Sequence, residues 1–357
     1  MITMKRFGAA PDGREAHLFE ISGENGTARV TDFGAALVGI DVPDGKGALD
    51  DVVLGFDSLA GYAGDNPACY GCTIGPSANR TDRAEVPIAG TVYRLPKNDG
   101  PDEANNLHTD LAHGLHKRLW DFSLDEGSDT VTFTCGLADG ELGLPGARTF
   151  TASYHAADTD AGAFELTVTY GAESDAETYV NMTNHTYFNL AGHASGSVLD
   201  QVATIDADAF LPVREDSVSE GSVAAVAGTP FDFRAPKALG ADIGADDEQL
   251  RRAHGYDHCF LIGGYREGGS PRHALRAVDP AGGRVLDILI TAPAAHLYTG
   301  NWLGDTGAKG GASYAPRDGF AFEPEFRPDN VHHGDWEHPV CAPGHPYSST
   351  IVYRLSA

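Results

Sequence analysis

The chain has 357 residues, and 51 acidic against 25 basic side chains leave a formal net charge of −26. That field repels phosphate backbones and anionic bilayers, which argues against nucleic-acid or membrane partners and favours a neutral small molecule. Hydrophobic residues make up 41% of the chain, enough for a sizeable core, and no apolar run reaches the length of a membrane span.

The first residues, Met1 to Gly8, carry Lys5 and Arg6 with no apolar segment behind them. That is not a secretory signal, and a cytoplasmic location is expected. Gly75-Pro76-Ser77-Ala78-Asn79-Arg80 precedes a hairpin-like segment. Arg80 offers a planar set of donors that can grip two ligand oxygens at once, or form an ordinary salt bridge. Thr91–Leu95, Thr130–Thr134 and Phe164–Tyr170 have strand character. Between the first two runs, Asn105-Asn106-Leu107-His108 leads into a loop dense in imidazole, His113 to Trp120. The loop lacks the His-Glu-x-x-His spacing or carboxylate partner of a zinc site.

The stretch Tyr179 to Leu190 has two unlike sets of residues. The odd positions, Tyr179, Asn181, Thr183, His185, Tyr187 and Asn189, can all hydrogen-bond. The even ones, Val180, Met182, Asn184, Thr186, Phe188 and Leu190, are mostly apolar. Read as one strand of period two, the stretch predicts a core-facing side and a polar side suited to a polyhydroxylated ligand. His185 carries the side chain whose unperturbed pKa lies nearest neutrality. The plainer alternative is a sheet strand with one hydrogen-bonded histidine.

Further strand runs follow at Val198 to Phe210, Val285–Thr291, Gly319–Glu323 and Ser348–Tyr353. Asp246–Ala253 is the clearest helix, with acids at its start and arginines near its end. Just past it, Gly255-Tyr256-Asp257-His258 places a carboxylate that can bridge two hydroxyls or serve as a turn residue. Gly319-Phe320-Ala321-Phe322-Glu323 ends an apolar strand in a carboxylate, and Pro324 is expected to stop the ladder there. A partly desolvated glutamate at such an edge has the raised pKa of a usable general base. Val331 to His338 reads as a solvated His-rich loop rather than a metal tract.

Short runs bounded by 44 Gly and 20 Pro predict an all-β chain, a large antiparallel β-sandwich with few short helices, as one domain over residues 1–357. The five cysteines, Cys69, Cys72, Cys135, Cys259 and Cys341, are read as free thiols. No serine elbow, phosphate loop, dinucleotide fingerprint or zinc cluster is present. Acid–base chemistry on a polar neutral ligand is what remains.

The run Asn181-x-Thr183-Asn184-His185-x-Tyr187-Phe188-Asn189-Leu190, followed by Ala191-Gly192-His193, resembles the signature of the aldose 1-epimerases (galactose mutarotases). Asp139 to Gly146, Gly255 to His258, Tyr298 to Trp302, and Glu323 with Pro328-Asp329-Asn330 are similar to further landmarks of that family. The resemblance implies a galactose mutarotase-like supersandwich that binds a monosaccharide on a concave sheet face, as monomer or homodimer, with no cofactor and no metal. It implies that Glu323 removes the proton of the C1 hydroxyl and His185 protonates the ring oxygen. Arg80, His108 and Asp257 match its sugar-binding positions, and His296 stands where the family has a sugar-contacting Gln. The chain departs from the family at Pro76-Ser77 (usually Arg-Tyr), Thr109-Asp110 (usually Gly-Gly), His296 and Glu325 (often Gln). These departures bear on substrate preference more than on reaction type. The alternatives are a non-catalytic sugar-binding protein of the same fold and a hexose-6-phosphate 1-epimerase, which the charge of −26 disfavours. A retaining glycosidase needs two carboxylates, and only Glu323 is evident.

Overall fold

Strands Arg148–Asp158 and Phe164–Ser174 pair antiparallel along their whole length and bury every second side chain. Phe150, Ala152, Tyr154, Leu166, Val168 and Tyr170 face the interior, while the residues between them are partly exposed, the pattern of a sheet with one dry face. In the computed structural model, which describes residues 1–357, these strands belong to a nine-stranded sheet. Its middle strand is Tyr347–Ser356, held between Phe164–Ser174 and Val285–Ile290.

Two smaller sheets lie against it. A five-stranded meander runs from Ile2–Ala9 to Leu49–Asp51. A six-stranded sheet contains Tyr187–Phe188, Phe320–Glu325, Ala294–Tyr298 and Asp257–Ile262 in adjacent places. All three contribute to one apolar core, for example through Phe19, Phe150 and Phe322. This is the expected antiparallel β-sandwich. The only α-helices are Leu59–Ala63 and Glu248–Ala253. The second starts two residues later than the charge pattern predicts. Asp247 accepts hydrogen bonds from the amides of Gln249 and Leu250 as its N-cap, and His254 closes it in the left-handed conformation.

Four expectations are corrected. The run Val198 to Phe210 is two strands, Val202–Ile205 in the nine-stranded sheet and Ala207–Phe210 in the six-stranded one, so the chain changes sheets at Asp206. Strand Phe320–Glu325 continues through Pro324, which lies opposite Ala295. The far side of the strand is paired only at Phe320 and Ala321, so no ladder partner there needs the missing amide. The His-rich loop is only partly solvated, with Gly334, Asp335 and His338 exposed. Trp336 is buried against Leu211, Cys259 and Ala294, and His332 Nδ1 lies 2.7 Å from Asp329.

The fourth concerns Tyr179 to Leu190, which is not one strand. It forms three two-residue strands, Thr178–Tyr179, Thr183–Asn184 and Tyr187–Phe188, each paired with a different element. Both residue sets are buried, because the segment threads between sheets instead of lying on one. Most of its polar groups serve the fold. The Asn181 side chain bonds the backbone of Phe326 at both its ends, and Asn189 donates to the carbonyls of Gly196 and Asp318. Only His185 and Tyr187 reach a cleft.

Candidate active site

The two-residue period of three neighbouring strands builds the cleft floor. In Phe320–Glu325, Phe320 and Phe322 face the core, which turns Glu323 and Glu325 to the opposite side. In Ala294–Tyr298, Ala295 and Leu297 face the core, and His296 and Tyr298 point the other way. In Asp257–Ile262, Phe260 and Ile262 face the core and Asp257 the cleft. Register then sets His296 opposite Glu323 and Asp257 opposite Tyr298.

The cleft of about 380 Å³ is completed from two other directions. His185 is held by backbone bonds, its amide donating to Cys72 and its carbonyl accepting from Gly71, both at 2.9 Å. Its Nε2 stands 3.5 Å from Glu323 Oε1, and the Tyr187 ring lies 5.1 Å from its own. Arg80 and His108 come from the paired segments Arg80–Thr81 and Asn106–Leu107. The Arg80 guanidinium is 2.9 Å from Asp99 and 3.6 Å from Asp257, so it is neither free nor on the surface.

Two of the sequence departures prove to be neighbours. His108 and Thr109 both have left-handed backbones, with φ of 56° and 66°. A β-branched residue is strained there. The Thr109 hydroxyl offsets this by accepting from the Ser77 amide at 2.8 Å and donating to the Ser77 carbonyl at 3.0 Å. Asn106 Oδ1 accepts the Thr109 amide as well. The Thr109–Ser77 clasp thus holds His108 in the cleft wall.

Burial governs the protonation of the floor. Removal from water pushes the His185 imidazole down to about 4 and raises the Glu323 carboxyl well above its usual range, with the nearby Asp257 charge adding to the second effect. Burial thus disfavours a charged pair at 3.5 Å. Both shifts lean toward the neutral forms, imidazole and carboxylic acid. Asp257 behaves oppositely. Burial opposes its charge, but His296 and Arg80 outweigh burial and keep it ionised. Burial also drives His108 well below its usual value.

His108, His185 and Glu323 bring ligand-type atoms within 4.8 Å of one another, so a metal has to be considered. The hydrogen bonding of His108 does not fit one. Its Nδ1 accepts the Asn79 amide at 3.1 Å, which puts the ring proton on Nε2. A protonated nitrogen does not coordinate a metal, but it can donate to a ligand oxygen.

All six residues singled out in the sequence, Arg80, His108, His185, Asp257, His296 and Glu323, line this one cleft. Sequence reasoning passed over Asn79 and Asp305, which line it too. Asn79 carried no signal beyond adjacency to Arg80. Asp305, which accepts from Tyr70 at 2.6 Å, lies in a Gly-rich stretch that reads as a featureless loop.

The family model described as aldose 1-epimerase matches residues 17–354. Galactose mutarotase of Bos taurus is 36% identical, over 99% of this chain and 98% of its own. Aldose 1-epimerase of Escherichia coli K12 is 35% identical over 98% and 97%. Among solved structures, an aldose epimerase homologue from C. elegans superposes with a TM-score of 0.85 at 27% identity, covering 96% of this chain and 99% of that one. Galactose 1-epimerase from Lactobacillus acidophilus gives 0.83 at 26%, covering 100% and 98%. A near-complete match in sequence and in architecture means that the chain belongs to the aldose 1-epimerase family.

Proposed function

We propose that the protein interconverts the α and β anomers of free, neutral aldohexoses such as galactose and glucose. The observation that carries this is the buried His185–Glu323 pair, 3.5 Å apart at the floor of a polar cleft. With one proton on the two groups, its passage from Glu323 Oε1 to His185 Nε2 gives a carboxylate and an imidazolium, a base and an acid. Glu323 then takes the proton of the C1 hydroxyl. The O–H electron pair becomes the second bond of C1=O1, the C1–O5 bond breaks, and O5 takes the His185 proton. Rotation about C1–C2 presents the other carbonyl face, and reversing the proton transfers closes the ring as the other anomer. Nothing is oxidised or reduced, and the pair ends as it began. Two groups that each give and take a proton suit a reaction run equally in both directions. Arg80, Asp257 and the Nε2–H of His108 are the groups offered to the other hydroxyls.

The lining favours an uncharged sugar. Arg80 is its only lysine or arginine, and the neighbouring Asp99 and Asp257 offset its charge, while Asp305 adds a carboxylate at the rim. A phosphate dianion would meet net repulsion. kcat/KM for glucose is expected to exceed that for glucose 6-phosphate by at least about tenfold, since each ~1.4 kcal/mol is a factor of ten. Polarimetry of the freshly dissolved α anomers, with the spontaneous rate subtracted, measures both. A preference for the phosphate ester would assign the protein to the other substrate class, and absence of any acceleration would remove the catalytic reading.

A further inference from the structure

Behind the cleft floor a chain of polar contacts runs from Glu325 to Asp257. Asn79 Oδ1 accepts the Arg80 amide at 2.7 Å, which fixes which end of the Asn79 amide carries hydrogens. Its Nδ2 is thereby aimed at two acceptors, Glu325 Oε1 and His296 Nδ1, both at 3.0 Å. Because Nδ1 of His296 accepts, the ring proton sits on Nε2. That N–H points at Asp257 Oδ1, 2.6 Å away, a short charge-assisted bond. Both ring nitrogens are then used within the protein. His296 and Glu325 are buried, so no water competes for these contacts.

Asp257 also has Arg80 Nη1 3.6 Å from its Oδ2. Without the bond to Oδ1, the carboxylate could swing to offer both oxygens to the guanidinium, the fork-to-fork arrangement that such pairs prefer. Either oxygen then committed to Arg80 is lost to a ligand. His296 prevents this by holding Oδ1 on the opposite side.

We propose that His296, set by Asn79 and Glu325, is a positioning residue that acts on the sugar through Asp257 and makes no sugar contact of its own. It keeps one Asp257 oxygen and the outer Arg80 nitrogens available to the ligand together, while Arg80 Nε stays on Asp99. The inference rests on the proposed reading of the cleft as a sugar site.

A double-mutant cycle on the full-length enzyme separates the two roles. Asp257→Ala and His296→Leu are each expected to raise KM for galactose by at least about tenfold, as loss of a charged hydrogen bond does, with kcat changed by less than about threefold. If His296 works through Asp257, adding His296→Leu to Asp257→Ala raises KM by less than about twofold more. Multiplication of the two effects, or an unchanged KM in His296→Leu, overturns the proposal. His296→Gln serves where Leu impairs folding, because its amide can still donate to Asp257. It is expected to keep KM within about threefold of wild type, and a KM raised by about tenfold or more would overturn positioning. Wild-type enzyme run alongside tells the two readings apart. An inactive wild type removes the epimerase reading, whereas an active one with multiplicative variants removes only this inference.

Discussion

His185→Asn and Glu323→Gln each lower kcat for galactose mutarotation by at least about a hundredfold, and the double variant is little worse than the poorer single. The reason is the proposed pairing of the two proton transfers. Ring opening removes a proton at O1 while supplying one at O5, so loss of either group stalls the same step, and groups acting as a unit are not additive. The pair also dictates the pH profile. Activity requires one proton on the two groups. It falls on the acid side as His185 takes a second proton near pH 4, and on the alkaline side as Glu323 loses the proton that burial makes it keep. Stability supplies the control. A carboxyl whose folded pKa is raised contributes its full stability below its unfolded value and loses it as pH rises through the folded one. Glu323→Gln should therefore melt no lower than wild type, with an advantage that grows toward alkaline pH. An inactive variant that also melts early would point to a structural role instead. A folded His185→Asn that keeps most of its activity would move the search for the acid to His108.

The largest loss of stability is expected from Lys309→Met, at about 3–5 kcal/mol. Lys309 Nζ donates to the carbonyls of Val38 and Val53 at 2.6 and 2.7 Å and to Asp51 Oδ2 at 2.6 Å. Lys309 is only 6% exposed and Asp51 only 7%, so water cannot replace what is removed. Two buried carbonyls would lose their donor, and Asp51 would keep Arg29, 2.7 Å away, as its one cation. The urea midpoint measures the effect, provided the m-value is unchanged. A loss below about 1 kcal/mol would mean that Arg29 alone satisfies Asp51. The lysine pins the loop that carries Leu303, Gly304 and Asp305 to the five-stranded sheet, so KM is expected to rise in the same variant.

These two sites mark where the sequence was informative and where it was not. Glu323, His296 and Asp257 share a cleft because strand parity and cross-strand register bring them there, and parity is visible in the apolar alternation around each. Tyr179 to Leu190 misled because its pattern was real but its backbone partners were remote. Cys72, Pro76 and Phe320 each claim a piece of it, and no local period encodes that. Lys309 stands in Gly307-Ala308-Lys309-Gly310-Gly311, a stretch that reads as a flexible loop. The carboxylate that buries it is 258 residues away. The Thr109–Ser77 clasp was hidden for the same reason, since each residue taken alone is only a departure from a family pattern.

The placement of Tyr347–Ser356 in the middle of the nine-stranded sheet has a consequence for biosynthesis. Strands Phe164–Ser174 and Val285–Ile290 meet only across it. The five-stranded meander joins strands adjacent in the chain and can form while translation is still under way. At roughly 5–20 residues per second on the ribosome, the large sheet waits as two open halves until its last strand is made. Each half then presents an unpaired edge, the kind that recruits foreign strands. A nascent chain of this protein is thus most in need of a chaperone just before Tyr347–Ser356 emerges, and loss of that strand is expected to yield an aggregating product rather than a weakened enzyme.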